Sequence, residues 1–149
     1  MDSSFLEKNR AELERLRDLV WRLTEDDLLT PLPDGWTVAA TLAHYAFWDR
    51  FALLRWQKWE RDGIKLVPLE IDSLNEANKP AWLVVPPLVA ARHALEAAEA
   101  IDAKIATLSP ELLQSYVSGG FNSWMYESWQ HRKEHLDQIE SGLRNAEET

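Results

Sequence analysis

Apolar residues recur every three or four positions along four long stretches of the chain, with charged residues between them. This spacing is that of an amphipathic helix, whose apolar side faces a core. It predicts helices at 4–24, 38–61, 87–108 and 124–144, and no stretch has the alternation of a strand. Four helices, each about 30 Å long, are typical of a four-helix bundle. We therefore expect an all-α fold, built as one domain over residues 1–149.

Capping and breaking residues set the ends of the predicted helices. Ser4 with Glu7 fits a capping box for the first helix, and Thr37 is a suitable N-cap for the second. Gly63 follows the second helix as a stop signal. Residues 63–86 carry mixed signals and are predicted to form a long crossover connection. Single helical turns are predicted at 24–29 and 110–114.

The composition is that of a folded, acidic chain without cysteine. Of 149 residues, 46% are hydrophobic, and 16 Lys and Arg against 25 Asp and Glu give a formal net charge of −9. Such a charge disfavours nucleic acid and anionic membranes as partners. Without Cys, any metal must be held by His and carboxylates. The sequence has neither a signal peptide nor an apolar run of about 18 residues, so a cytoplasmic location is expected.

Two of the four histidines, His131 and His135, lie four residues apart in HRKEH on the last predicted helix. On a helix they stand about 40° apart and about 6 Å along the axis, so both imidazoles can chelate one ion, although such a pair also arises by chance. His44 lies in the middle of the second helix and is either a hydrogen-bonded core histidine or a third ligand. Three imidazoles would leave coordination positions open, as in catalytic zinc sites. His93 is predicted to be solvated.

Carboxylates near the histidines are the candidates for acid–base chemistry. HRKEH also matches the H-x-x-E-H pattern of inverted zinc proteases, with Glu134 as general base. Those enzymes need a larger framework, and Glu134 is rotated by about 100° from His135, which disfavours this interpretation. Glu127 lies four residues before His131 on the same stripe, and it is our candidate catalytic residue, with a solvated surface glutamate as the alternative.

The segments GWTVAATLAHYAFWDR and WMYESWQHRKEHLDQIE together resemble the DinB/YfiT-like family of four-helix bundles. In that family a Trp-Thr or Trp-Ser pair begins the second helix, a His follows, and the last helix carries two His four residues apart. Trp36 with Thr37, then His44, then His131 and His135 match this pattern. The resemblance covers nearly the whole chain. It implies a divalent metal ion, usually nickel or zinc, held by the three histidines, and often a homodimer.

The resemblance also implies two kinds of activity. Characterised relatives include transferases and isomerases that use low-molecular-weight thiols, and others are described as metal-dependent hydrolases. A divalent ion lowers the pKa of a bound water or thiol, so either reaction on a small-molecule substrate fits. A thiol cofactor with carboxylates would need cations, for which Arg50, Arg55 and Arg132 are available. Asp49 is expected to be structural, and either to contact an imidazole of another helix or to pair with Arg50 or Arg132.

Eight tryptophans keep a different class of function open. Indole rings line apolar pockets as well as cores and oligomer interfaces. The alternative is a non-catalytic, dimeric helical bundle that binds a small hydrophobic ligand, with a metal that is structural or absent. A plain helical scaffold with chance histidines is a third interpretation. Tyr45, Trp48, Trp124 and Trp129 are the aromatic candidates to line a pocket, with packing in the core as the more common alternative.

Overall fold

The computed structural model describes residues 2–148, within which the chain forms seven α-helices and one 3₁₀ turn. The helices are α1 (Ser4–Arg22), α2 (Glu25–Leu28), α3 (Val38–Asp62), α4 (Ile71–Trp82), α5 (Pro87–Thr107), α6 (Pro110–Ser118) and α7 (Trp129–Glu147), and the 3₁₀ turn is Ser123–Met125. No β-strand occurs in this part of the chain, where a single antiparallel bridge joins Pro31 and Thr37. The predicted all-α fold class is confirmed.

The four longest helices pack in a closed ring. Helix α3 contacts α5 and α7, and α1 contacts the same two helices. The interface of α3 with α5 is the most extensive, and alanines line both of its sides, which lets the two helix axes approach closely. The shorter α4 packs on α3, and α2 packs on both α3 and α5. None of the helices within residues 2–148 has the length and hydrophobicity needed to cross a membrane.

Of the three predictions made for the ends of the first two long helices, two are confirmed and one is wrong. The side chain of Thr37 accepts a hydrogen bond from the Ala40 amide at 3.0 Å, and Gly63, with φ of 81°, ends α3 as predicted. The predicted capping box at Ser4 is absent, because Ser4 is already the first residue of α1. Its amide and hydroxyl instead donate to the carboxylate of Asp2, at 2.9 and 2.8 Å.

The predicted long connection at 63–86 is wrong in its middle part, where α4 forms over Ile71–Trp82. Pro80 lies in the last turn of α4 and has no amide to donate to the helix. Contacts with the rest of the fold stabilise the helix: Trp48 Nε1 donates to Asn75 Oδ1 at 2.7 Å, and Trp82 is buried. These tertiary contacts outweigh weak local helix propensity.

The two predicted single turns have different lengths in the structure. The first is α2, whose capping box is complete: the hydroxyl of Thr24 accepts from the Asp27 amide at 3.1 Å, and the Asp27 carboxylate accepts from the Thr24 amide at 2.9 Å. The second, predicted at 110–114, is the nine-residue helix α6. Its N-cap is Ser109, whose side chain accepts from the Leu112 amide.

The last helix begins at Trp129 and not at Trp124 as predicted, because the 3₁₀ turn lies before it. Its N-terminus is capped by a residue of α1. The side-chain oxygen of Asn9 accepts from the Trp129 amide at 3.0 Å, and its amide nitrogen donates to the Tyr126 carbonyl at 3.0 Å. A long-range contact of this kind fixes the position of α7 along α1.

Candidate metal centre

Three histidines meet where α3 packs against α7. His44 stands in the second turn of α3, and His131 and His135 stand in the first two turns of α7. His135 Nε2 lies 3.2 Å from His44 Nε2 and 2.7 Å from His131 Nε2, and ring nitrogens of all three lie within 4.8 Å of one another. Two nitrogen ligands of a tetrahedral zinc, at bond lengths of about 2.0–2.1 Å, stand about 3.3 Å apart. The three histidines are therefore close enough to hold one metal ion.

Burial keeps these imidazoles in the neutral form. It lowers the pKa of His44 to about 4, and the neighbouring His135 acts in the same direction. Burial also lowers the pKa of His131 and that of His135. A metal binds neutral imidazole and competes with protons for it, so low pKa values favour metal binding at neutral pH.

Contacts with other side chains orient two of the three histidine rings. Gln138 Oε1 lies 2.9 Å from His135 Nδ1, which turns His135 Nε2 towards the other two imidazoles. The ring of His44 packs edge-on against Trp36 and Trp82, at centroid distances of 5.3 and 5.1 Å. His44 Nδ1 is buried and has no hydrogen-bond partner in the described part of the chain, although the side chain of Asn75 interacts with the ring and acts to raise its pKa.

Arg132, between the two histidines of α7 in sequence, is fully buried and connects all four long helices. Its two terminal nitrogens donate to the carboxylate of Asp102 on α5, both at 3.0 Å. Its Nε donates to the Tyr45 hydroxyl on α3 at 2.6 Å, and Nη1 also donates to the Asn9 carbonyl on α1 at 2.9 Å. These bonds fix the rotation of α7, and with it the direction in which both histidines of α7 point.

Asp49 is part of this buried cluster and lies 3.9 Å from Arg132 Nη2, one of the two partners predicted for it. Burial raises the pKa of Asp49 to about 7, while the charge of Arg132 and a hydrogen bond from Tyr45 act in the opposite direction. Because Asp49 faces the guanidinium, we assign it a structural role.

The remaining basic residues considered from the sequence lie elsewhere. Arg55 lies over two aromatic rings of its own helix, and Arg50 lines a separate apolar groove of about 340 Å³. His93 is half-buried and lines the same groove, so the prediction of a solvated His93 is wrong. Its helix packs against α3, which covers part of its side chain.

A cavity of about 520 Å³ adjoins the three histidines. Trp48 and Trp124 line it as predicted, while Tyr45 lies in the Arg132 cluster and Trp129 lies beneath the ammonium of Lys8. The remaining side chains that line the cavity are mostly polar. They are Asp34, Trp36, Thr41, Ile71, Asn75, Asn122, Gln130, Glu134 and Gln138.

The carboxylates of this cavity are Asp34 and Glu134, and the negative charges of both favour the protonated form of His135. Glu127 is half-buried, accepts a hydrogen bond from Gln130 at 2.6 Å and is not among the residues that line the cavity. The sequence analysis missed Asp34 because this residue lies in the loop before α3, outside any helical pattern. A role for Glu127 in catalysis stays a prediction.

Together, the helical fold and the three-histidine cluster define an all-α protein with a candidate metal centre between two of its helices. A family model described as the DinB superfamily matches residues 8–139, and the chain belongs to this superfamily. The matched segment includes all three histidines. No curated protein and no solved structure matches the chain.

Proposed function

We propose that this protein is a metal-dependent enzyme in which His44, His131 and His135 hold one divalent ion, zinc or nickel. The observation that carries the proposal is the convergence of one nitrogen from each imidazole within 4.8 Å. The lowered pKa values of the three histidines and the adjoining cavity of about 520 Å³ support it. A cavity of that size suits a small-molecule substrate.

A divalent ion with three imidazole ligands acts as a Lewis acid and lowers the pKa of a water or a thiol towards neutrality. The side chains of the protein orient the histidines and offer acceptors for protons. Gln138 orients His135, while Asp34 and Glu134 offer acceptors for a proton at the cavity wall. The indole rings of Trp36, Trp48 and Trp124 exclude part of the bulk water from the cavity.

Of the two activities, hydrolysis fits the cavity better than thiol transfer. Within residues 2–148 no Lys or Arg side chain lines the cavity, so the carboxylates of a low-molecular-weight thiol would have no cationic partner there. Arg132, one of three arginines considered for that role, is buried and bound to Asp102. Small esters and amides are assayed for hydrolysis, and thiols with electrophilic substrates are assayed for thiol transfer. The two sets of rates compare the two reactions directly.

The catalytic carboxylate can be identified with matched variants of the metal-loaded protein. Glu127→Gln tests the residue predicted from the sequence, and Glu134→Gln tests the one that lines the cavity. Loss of a general base lowers kcat by about 10²–10⁴-fold. An unchanged rate in Glu127→Gln would remove Glu127 from the mechanism.

The metal centre itself is tested by the metal content of untagged protein, purified without added metal and measured by mass spectrometry. We expect about one nickel or zinc per chain in the wild type and none in His131→Ala. The control is His93→Ala, which removes a half-buried histidine outside the cluster and should keep the ion. Absence of metal in the wild type, with no uptake on titration, would overturn the proposal.

The tryptophan-lined cavity also supports the second candidate, a non-catalytic module that binds a small hydrophobic ligand. Thermal melts with and without a chelator separate the two, because removal of a structural metal lowers Tm by many degrees. A homodimer and a cytoplasmic location also stay predictions. Sedimentation velocity tests the homodimer.

A further inference from the structure

Two exposed carboxylates, those of Asp34 and Glu134, give the wall of the cavity beside the histidines a negative charge. Neither Asp34 nor Glu134 forms an ion pair within residues 2–148, and no Lys or Arg lines the cavity there. One oxygen of Asp34 accepts from the Trp36 amide at 3.0 Å, which leaves the other oxygen available. In the metal-free protein an anionic ligand would meet two like charges and no Lys or Arg of the described chain on the cavity wall.

The same cavity is lined by three indole rings, whose faces attract cations. Trp48 and Trp124 stand at 88° to each other with centroids 6.2 Å apart, and the hydrogen bond from Trp48 to Asn75 fixes one of these rings. The third indole, Trp36, already has a cation on its ring: Lys79 Nζ lies 5.3 Å from its centroid. Two perpendicular indoles in a cavity whose wall also carries two carboxylates suit an ammonium group.

We propose that the ligand of this cavity carries a fixed positive charge, as an alkylammonium group held by Trp48, Trp124 and the carboxylates of Asp34 and Glu134. The claim that such a ligand is the substrate of the three-histidine centre rests on the proposed function. The claim that the cavity prefers a cationic ligand does not depend on the metal. The other end of the ligand is free to face the imidazoles.

Three probes of nearly equal shape test the charge preference. Choline, the neutral isostere 3,3-dimethylbutan-1-ol and the anion 4,4-dimethylpentanoate are titrated calorimetrically into metal-free protein. Choline should bind at least about tenfold more tightly than the alcohol, which corresponds to about 1.4 kcal/mol, and the anion should bind most weakly. Equal affinity of choline and the alcohol, tighter binding of the anion, or no choline binding at about 20 mM would each overturn the proposal.

Variants then locate the site. The double variant Asp34→Asn, Glu134→Gln should weaken choline binding about tenfold and leave the affinity for the alcohol unchanged. Trp124→Leu keeps an apolar side chain but removes the aromatic face, so it should also weaken choline selectively. The control is Glu147→Gln, an exposed residue of α7 about 14 Å along the helix beyond Gln138. Full choline affinity in both the double variant and Trp124→Leu would overturn the assignment.

The same titrations on zinc-loaded protein separate this inference from the proposed function. Choline and the alcohol carry the same hydroxyl group, so ligation of zinc by that group affects both alike, and the preference for choline should persist with zinc bound. Metal content is measured on the same samples. If the protein holds no metal and still prefers choline, the proposed enzyme is rejected and the cationic ligand is retained. If the protein holds metal and does not prefer choline, the cationic ligand is rejected and the metal centre is retained.

Discussion

Neighbouring residues of α7 belong to two polar clusters that differ in their hydrogen bonding. Arg132 donates four hydrogen bonds and joins α7 to the other three long helices. His131 and His135 instead direct nitrogens at a third imidazole, that of His44, whose Nδ1 is buried without a hydrogen-bond partner among the described residues. Buried polar groups are normally satisfied, and exceptions concentrate at functional sites. The first cluster, in which Asp49 Oδ2 also lacks a hydrogen-bond partner within residues 2–148, stabilises the fold through the four bonds of Arg132, and the second is close enough to hold a metal ion.

Replacing Arg132 by Met should have the largest effect on stability. The substitution leaves the Asp102 carboxylate without its two guanidinium bonds and Asp49 without its nearest cation. Removing one partner of a buried ion pair costs about 3–5 kcal/mol. Urea unfolding measures the loss, and Arg144→Met, an exposed site on the same helix, should change the free energy of unfolding by less than about 0.5 kcal/mol. A loss below about 1 kcal/mol in Arg132→Met would contradict this description of the cluster.

Asn9→Ala should cost about 2 kcal/mol, since it removes a helix cap and a buried hydrogen bond. Both bonds go to the start of α7, at Trp129 and Tyr126, so the variant should also bind metal more weakly as the helix loses its fixed position. Asn145→Ala, an exposed asparagine near the end of α7, is the control. A stability loss with unchanged metal affinity would show that the cap does not position the histidines.

The two clusters also differ in how far they could be predicted from the sequence. The spacing of His131 and His135 on one helix is a local pattern, and His44 matches a family motif, so both are visible in the chain itself. The bonds of Arg132 reach Asn9 and Asp102, which lie 123 and 30 residues away. Those contacts depend on how each helix is rotated about its axis, which helical periodicity does not determine.

The fold shows the same division between local and long-range signals. The long helices have clear apolar periodicity, and all four were predicted to within about five residues at each end. Helix α4 was not, because it depends on contacts that Asn75 and Trp82 make with other elements. Asp34 was missed for a related reason: its loop reaches the cavity only in the folded chain.

His44→Leu should have a smaller effect on the metal-free protein, and of opposite sign. The substitution removes a buried nitrogen without a partner from a space enclosed by Trp36 and Trp82, and it should raise the free energy of unfolding by about 1 kcal/mol. The same variant should bind no metal. Urea unfolding in the presence of a chelator measures the gain. A loss of about 2 kcal/mol would indicate that His44 is a packed core histidine, as the alternative sequence interpretation held.

The last expected effect is a difference in the pH dependence of stability between His44 and Asp49, which lie five residues apart on α3. The pKa of His44 is lowered from 6.5 to about 4 in the folded chain. As the pH falls from 6.5 to 4, the unfolded chain takes up a proton that the folded chain does not, so stability falls. The pKa of Asp49 is raised from 3.8 to about 7. Between pH 7 and 3.8 the folded chain binds the extra proton, so stability rises as the pH falls.

These opposing contributions overlap in the metal-free protein, and single variants separate them. Asp49→Asn should make the loss of stability towards acid steeper, whereas His44→Leu should make it shallower, each by at most about 1.4 kcal/mol per pH unit. Urea unfolding at half-unit steps from pH 4 to 7.5 measures both slopes. Because His131 and His135 also have lowered pKa values, some loss towards acid should remain in His44→Leu. Identical slopes in the wild type and both variants would mean that neither group titrates differently on folding.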